Sequence, residues 1–251
     1  MSTSTSRPGI VSDLDRYLFD LNGYLVVPGV LDAALVARLT ELIEGDCAAQ
    51  ERAQPGLLDF RNNALFDLGP ELRALIDHEP VFSYLEEWLG TGFRLDHLYY
   101  MVMRGDTGGA THIHGGGTPH HHSRGYSCRN GRIYSCETAV SYALTDVGPG
   151  EGGMGVVPGS HKANFPLPWA SDPGPYAPGR VTQVPVTAGS AVIFTESLTH
   201  CSLPWRGKGS RRNLFYKYTP RNIQLTKRQL DASLWPELNE RQRGLLEPAH
   251  S

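Results

Sequence analysis

Apolar residues follow helical spacing in the first third of the chain. One face of a predicted helix is formed by Leu35, Leu39, Leu42 and Ile43, which recur at positions i, i+4, i+7 and i+8. Asp32 precedes them and is a favoured N-cap residue. Three helices and one strand are therefore predicted in this part: helices at 13–22, 32–44 and 81–89, and a strand at 23–27.

Beyond residue 93, short runs of β-branched and aromatic residues alternate with glycine and proline turns. The predicted strands are 95–103, 133–144, 155–157, 181–186, 191–194 and 213–218. Many short strands with frequent turns are typical of an antiparallel sandwich or barrel, and 226–246 returns to helical spacing. We therefore predict a mainly β fold, a double-stranded β-helix (jelly-roll, cupin-like) core with flanking α-helices.

Nothing divides the 251 residues into separate units, because the chain contains no internal repeat and no low-complexity linker. A single domain is predicted. Residues 1–92 would form a helical N-terminal buttress, residues 93–222 the jelly-roll core, and residues 223–251 a C-terminal helical segment. The 28 glycines and 18 prolines favour many turns between short strands.

Charge and segment composition exclude several classes of partner. The net charge of −3 offers no basic surface to a nucleic acid polymer. The apolar runs are too short to span a membrane, and the first nine residues lack the apolar segment of a secretory signal. The four cysteines form no CxxC pair, which is typical of reduced thiols, so a cytoplasmic protein is predicted.

Two histidine segments are candidates for metal binding. His112-Ile113-His114 stands where a strand should meet a loop, and His200 follows the predicted strand 191–194. His114 and His200 are 86 residues apart, so only a folded sheet can bring them together. Imidazole suits iron, copper, nickel and zinc, and histidines on facing strands can share one ion. The alternative for any single histidine is an ordinary hydrogen bond.

A pair of arginines opens the next predicted strand. Arg211 lies 11 residues after His200, and a guanidinium there can bind a carboxylate with two parallel hydrogen bonds. Ser202 would face the same side of an extended segment as His200. Adjacent strand residues face opposite ways, so the sequence leaves open whether Arg211 or Arg212 points inward. A solvated strand edge is the alternative interpretation.

Four stretches carry a family resemblance: GYLVVPG at 23–29, VSYALTD at 140–146, GEGG at 150–153 and VPGSHK at 157–162. With them, the chain resembles the phytanoyl-CoA dioxygenase-like branch of the Fe(II)/2-oxoglutarate oxygenases. The resemblance implies that His114 and His200 bind Fe(II), that Arg211 and Ser202 bind 2-oxoglutarate, and that O2 is consumed. His161 matches a structural turn histidine of the family, not a ligand.

The sequence departs from the family motif, His-x-Asp/Glu followed by a distal histidine, at one position. Gly116 stands where the carboxylate is expected. In the iron halogenases, glycine or alanine replaces the acid and chloride binds in its place, although other relatives of this family also carry His-Gly-Gly. The resemblance therefore implies chlorination of an unactivated carbon, with Gly116 as the halide site. If His114 and residue 116 share one strand face, Gly116→Asp should abolish chlorination.

The substrate implied by the resemblance is a small anionic molecule, a purine nucleotide, as in the nucleotide halogenases of adenosine-analogue antibiotic biosynthesis. Candidate substrate-binding residues are His112, His121, Arg124, Glu137, Lys217 and Arg221. The polar segment 119–124, which contains two of them, is equally typical of a flexible, solvated lid. No docking patch for a carrier protein is evident in the sequence.

Three alternatives to a halogenase stay open. The protein can be a hydroxylase that uses water or a remote acid, Glu137 or Glu196, in place of the missing carboxylate. His112, His114 and His200 can instead form a three-histidine cupin site that needs no 2-oxoglutarate. The chain can also be a non-catalytic binding protein descended from an oxygenase.

Overall fold

The computed structural model describes residues 2–4, 9–53, 60–62, 65–104, 112–119, 121, 124–169, 179–227 and 230–249. Its α-helices are Asp13–Asn22 (α1), Ala33–Ala53 (α2), Leu65–Leu68 (α3), Pro70–Arg73 (α4), Glu79–Leu89 (α5) and Glu240–Leu246 (α6). Short 3-10 turns occupy Ala74–Asp77, Ser160–Lys162 and Ala232–Leu234. No helix within these ranges is long and apolar enough to cross a membrane.

The strands pair antiparallel throughout the described residues. They are Tyr24–Val27 (β1), Phe60–Asn62 (β2), Phe93–Arg104 (β3), Tyr126–Arg129 (β4), Arg132–Ser135 (β5), Thr138–Ala143 (β6), Gly153–Val156 (β7), Thr182–Val184 (β8), Ala191–Thr195 (β9), His200–Leu203 (β10) and Ser210–Pro220 (β11). A six-stranded major sheet has the order β1-β9-β6-β11-β3-β2, and a three-stranded minor sheet has the order β10-β7-β8. Strands β4 and β5 form a separate hairpin. The mainly β prediction is confirmed.

The major sheet is covered on both faces, which explains its continuous apolar runs. Along β9, Ala191 and Ile193 join the core beneath the helices, whereas Val192 and Phe194 join a second core between the two sheets. Successive strand residues point to opposite faces, so a strand buried on both sides needs an apolar residue at every position. The helices thus buttress the outer face of the major sheet, and its inner face closes the barrel.

Several predicted elements differ from the observed ones in extent. Asp32 caps α2 as predicted, its carboxylate accepting from the Leu35 N–H at 2.8 Å, but the helix continues well past residue 44 to Ala53. The single strand predicted at 133–144 is two strands, β5 and β6. The N-terminal part also supplies β1 and β2 to the major sheet, so it is more than a helical buttress.

The predicted C-terminal helical segment is mostly irregular. Only α6 and one 3-10 turn are helical between 226 and 246 among the described residues. Pro236 interrupts the segment because proline lacks the N–H that a helix interior requires. Asn239 then starts α6 with a capping box, its side chain accepting from the Gln242 N–H at 2.8 Å.

Candidate active site

Two backbone hydrogen bonds join the candidate metal histidines. His114 donates its N–H to the carbonyl of His200 at 3.0 Å, and His200 donates to the carbonyl of His114 at 2.8 Å. His200 opens β10 of the minor sheet, which places the two ring centroids 4.2 Å apart. Folding therefore brings together two side chains that lie 86 residues apart in the sequence.

The second nitrogen of each ring is available to a metal. The Nδ1 atom of His114 lies 2.9 Å from the His112 carbonyl, and that of His200 lies 2.7 Å from the Leu198 carbonyl. A carbonyl oxygen only accepts, so both Nδ1 atoms carry the proton and both Nε2 atoms present a lone pair. Burial lowers the pKa of His114 and lowers that of His200 to about 4, so both rings are neutral near pH 7.

A carboxylate completes the cluster around these rings. His114, Glu196 and His200 each offer one ligand atom, and these atoms all lie within 4.8 Å of one another. The Glu196 Oε2 atom is 3.9 Å from the Nε2 atom of His200. His112 is not part of this group among the described residues. The cluster is thus two histidines and one carboxylate, a set that suits non-heme Fe(II).

Glu196 belongs to a buried charge group. The ammonium of Lys217 donates to its Oε1 atom at 2.5 Å and lies 4.0 Å from Glu137 Oε1. Burial raises the pKa of Glu196, but the charge of Lys217 and the hydrogen bond from its ammonium outweigh this effect and lower that pKa to about 2. Burial, followed by the charge of Glu196, raises the pKa of Glu137 to about 8. Glu196 is therefore the ionised acid of the pair at neutral pH.

Arg211 points into the barrel interior and is 3% exposed. Its Nε atom has no hydrogen-bond partner, and no carboxylate of the described residues pairs with it; Nη1 lies 3.2 Å from the sulfur of Met103. Burial lowers its pKa to about 10, which still leaves it charged at pH 7. Arg212 faces the other way and binds Glu44 on α2. Arg211 is therefore the arginine that points inward, and Arg212 points outward, because adjacent strand residues face opposite ways.

The two histidines and Arg211 share one cavity of about 340 Å³ between the sheets. Ser202 also lines it, two residues after His200 on β10. The rest of the wall is largely aromatic and thioether, formed by Tyr99, Met101, Met154, Phe194 and Phe215. The Glu196–Lys217 pair adjoins the cavity without lining it, through the contacts with His200 and with the Tyr99 ring. The site is therefore a chamber with a mostly apolar surface, into which three histidines, two serines and Arg211 bring polar groups.

Residue 116 does not have the backbone geometry expected of it. Gly115 and Gly116 have φ values of 87° and 88°, so the extended strand ends at His114. The shared face assumed for positions 114 and 116 is therefore wrong. Gly116 lines a neighbouring cavity of about 610 Å³, which His114 also lines, and a Cβ at Gly116 would lie 3.1 Å from the hydroxyl of Thr199.

The candidate substrate residues are dispersed. His112 lines the central cavity, and Glu137 and Lys217 lie in the adjoining charge group. His121 is exposed and Arg124 lines a different cavity. Residues 120, 122 and 123 of the same polar segment lie outside the described residues.

Arg221 has a structural role instead of the substrate contact expected of it. Its guanidinium binds the Glu247 carboxylate and donates to the carbonyls of Gly244 at 3.1 Å and Gly92 at 3.4 Å. These bonds tie the end of β11 to the region of α6. Arg221 does not line the central cavity.

The sequence contained a signal for the charge group. Lys217 interrupts the apolar and aromatic run 214–218 of β11, and a lysine at a buried strand position requires an acidic partner. Which acid it binds could not be read from the sequence, because Glu196 reaches Lys217 only through the turn between β9 and β10. The aromatic wall of the cavity gave no distinct signal, since core strands have the same composition.

The family of the chain follows from a sequence comparison. The family model described as phytanoyl-CoA dioxygenase (PhyH) matches residues 19–213, a span that contains both histidines and Arg211. The chain belongs to the phytanoyl-CoA dioxygenase family. This family consists of Fe(II)/2-oxoglutarate-dependent oxygenases, so the chain is a member of an enzyme family. Among curated proteins, the search found no match.

Solved structures show the same fold as this phytanoyl-CoA dioxygenase family member. HygX from Streptomyces hygroscopicus, with nickel and 2-oxoglutarate bound, superposes with a TM-score of 0.75 at 22% identity, covering 96% of this chain and 98% of HygX. SnoN, a non-heme α-ketoglutarate-dependent epimerase from nogalamycin biosynthesis, gives 0.61 at 22% identity, with 85% and 83% covered. The carbocyclase SnoK from the same biosynthesis gives 0.63 at 19% identity, with 87% and 88% covered.

These likenesses establish the architecture. The shared fold is the double-stranded β-helix of 2-oxoglutarate-dependent enzymes, with helices packed outside the major sheet. HygX has also been crystallised with iron bound. The core fold inferred from the strand pattern and the family resemblance is therefore confirmed.

Proposed function

We propose that this protein is an Fe(II)- and 2-oxoglutarate-dependent oxygenase that oxidises a C–H bond of a small anionic metabolite. His114 and His200 would hold the metal, and Arg211 with Ser202 would bind the far carboxylate of 2-oxoglutarate. The observation that carries this proposal is the buried guanidinium of Arg211, which lies in the same cavity as the two histidines.

A buried guanidinium without an acidic partner calls for an anionic ligand. Removing a charge from water costs several kcal/mol unless a counter-charge and hydrogen bonds replace the lost solvation. The Nε atom of Arg211 is buried and unsatisfied, and no described carboxylate pairs with this side chain. A dicarboxylate such as 2-oxoglutarate would supply two acceptor oxygens to the guanidinium while its other end reaches the metal. The residues present therefore fit this cosubstrate.

Iron with 2-oxoglutarate bound supplies the O2 activation that such oxygenases use to oxidise a C–H bond. The protein's own residues position that chemistry. The carbonyls of His112 and Leu198 hold the two rings with Nε2 unprotonated. The stacked rings of Tyr99 and Phe215, 4.7 Å apart, form part of the apolar wall, which limits access of water to the reacting atoms.

The substrate class is proposed from the sequence and from the neighbours. HygX has been crystallised with hygromycin B bound, and SnoN with nogalamycin RO, so both neighbours bind natural products. We propose a small natural-product metabolite for this chain as well. A purine nucleotide is the specific substrate suggested by the family resemblance, and His112 is the candidate substrate residue that lines the cavity.

Halogenation is the second candidate, and the observation that favours it is the glycine at position 116. With no side chain at the family's carboxylate position, a chloride ion could bind the metal there. The Glu196 carboxylate within the histidine cluster favours oxygenation instead, because it is an alternative protein anion for the same metal.

The test is an anaerobic titration of the protein with Fe(II) and 2-oxoglutarate, with and without chloride. We expect a charge-transfer absorption band that requires both Fe(II) and 2-oxoglutarate and does not shift when chloride is added. A band that shifts with chloride would favour the halogenase. If no band forms with both components present, the proposed function is wrong.

A further inference from the structure

We propose that Glu196 is the third protein ligand of the metal and replaces the carboxylate that the family motif places at position 116. The juxtaposition that supports it is the cluster of His114, Glu196 and His200, whose ligand atoms all lie within 4.8 Å of one another. This inference rests on the proposed function, because it assumes that the two histidines bind the metal.

The two oxygens of Glu196 have different surroundings. Oε1 accepts from Lys217 at 2.5 Å, whereas Oε2 lies 3.9 Å from the Nε2 atom of His200. Metal–nitrogen and metal–oxygen bonds are about 2.0–2.2 Å long, so two ligand atoms on one ion lie roughly 3 to 4 Å apart. Oε2 is therefore close enough to His200 Nε2 for the two atoms to share an ion, while Oε1 is held by the ammonium.

The turn that carries Glu196 is fixed by hydrogen bonds. Its backbone N–H donates to the carbonyl of Glu137 at 2.9 Å, and the Leu198 N–H donates to the carbonyl of Thr195 at 2.9 Å. The Leu198 carbonyl in turn accepts from the Nδ1 atom of His200. One short turn between β9 and β10 thus positions both a histidine and a carboxylate, which favours a preorganised metal site.

An alternative role for Glu196 is to act only as the counter-ion of Lys217, without binding the metal. Glu137 is the useful comparison, because it is equally buried and also lies near Lys217, at 4.0 Å. Only Glu196 belongs to the histidine cluster among the described residues. A counter-ion needs no histidine nearby, so the placement of Oε2 beside His200 is explained by metal binding.

The inference has a consequence for the product. If Glu196 binds the metal, a protein carboxylate occupies the position that a halide would need, and its charge opposes a second anion. An oxygenated product then follows even though residue 116 is glycine.

The primary test compares the Co(II) and Fe(II) affinities of Glu196→Gln and Glu137→Gln by anaerobic calorimetry. Both substitutions keep the side-chain shape and remove one carboxyl group beside Lys217. We expect Glu196→Gln to lose at least 100-fold in affinity, since even outer-sphere partners of a metal site contribute roughly 10- to 100-fold. Glu137→Gln should stay within a few-fold of the wild type.

A second variant distinguishes loss of a metal ligand from the effect of an unbalanced charge, and it controls for misfolding of Glu196→Gln. Glu196→Gln leaves the buried Lys217 without its nearest carboxylate, which can weaken metal binding by repulsion or destabilise the fold. The double variant Glu196→Gln/Lys217→Met removes both charges and so restores the net charge of the wild-type pair. If Glu196 is a ligand, the double variant stays weak, and the Co(II) absorption spectrum of the loaded protein differs from that of the wild type.

Two results would overturn the inference: wild-type affinity in Glu196→Gln, or recovery of wild-type affinity and spectrum in the double variant. Neither result would affect the proposed function if the wild type still forms the band that requires Fe(II) and 2-oxoglutarate. Failure of the wild type to bind metal at all would overturn both.

Discussion

At the scale of single residues, neighbouring side chains on one strand have opposite roles. Arg211 and Arg212 are adjacent on β11, yet one faces the central cavity and the other binds Glu44 outside the major sheet. The sequence identified the pair but could not choose between them, because the choice depends on strand register. That the buried guanidinium of Arg211 has no acidic partner among the described residues is visible only in the folded chain.

Arg211→Leu should weaken 2-oxoglutarate binding while leaving metal binding intact. Truncating one partner of a buried, charge-assisted pair costs about 2–5 kcal/mol, so we expect Kd to rise by about 30-fold or more. The measurement is calorimetric titration of the Fe(II)-loaded protein with 2-oxoglutarate under anaerobic conditions. Arg212→Leu is the control and should bind normally. A loss confined to Arg212→Leu would contradict the account.

The metal site was only partly predictable at this scale. His114 and His200 were identified because histidines at the ends of candidate strands are unusual and match a family motif. Glu196 and Glu137 were the two acids considered as substitutes for the missing carboxylate. Only the folded chain shows that Glu196 is the one beside the two histidines among the described residues. The assumption that residues 114 and 116 share one strand face was wrong, because two successive glycines with positive φ end the extended backbone after His114.

At the scale of elements, buried polar contacts tie the C-terminal segment to the barrel. Asp96 on β3 is completely buried; it accepts from Arg94 at 2.9 Å, from the Nδ1 atom of His97 at 2.9 Å and from the Leu225 N–H at 2.8 Å. This network holds the start of the C-terminal segment against β3. The helical spacing of that segment was visible in the sequence, but these tertiary contacts were not.

Asp96→Asn should destabilise the fold by about 3 kcal/mol, because it leaves a buried guanidinium without its counter-charge. Burial raises the pKa of Asp96, but His97, the Leu225 N–H and Arg94 together lower it. The stabilisation should therefore be complete above about pH 5 and fade as the pH falls below about 4 through the lowered folded-state pKa.

Urea unfolding of wild type and variant at several pH values measures this difference. The exposed Asp67 provides the control, since Asp67→Asn should change the free energy of unfolding by less than about 0.5 kcal/mol. Equal stability of Asp96→Asn and the wild type at pH 7 would show that the network contributes nothing.

At the scale of the whole molecule, the two sheets assemble the site from distant segments. Strand β10 of the minor sheet supplies His200 and Ser202, and β11 of the major sheet supplies Arg211 across the interior. Short strands, frequent turns and the family resemblance were enough to predict this fold class. The strand order, the membership of β1 and β2 in the major sheet, and the shape of the cavity depend on long-range pairing that periodicity does not encode.

The central claim is tested most directly by succinate formation from 2-oxoglutarate in the presence of Fe(II) and O2. We expect the wild type to form succinate in proportion to the O2 consumed and His200→Ala to form none above background. His112→Ala should keep substantial Fe(II) binding, because His112 lies outside the metal cluster of the described residues. An Fe(II)-loaded wild type that forms no succinate, or equal loss of Fe(II) binding in both variants, would contradict a 2-oxoglutarate-dependent site built on His114 and His200.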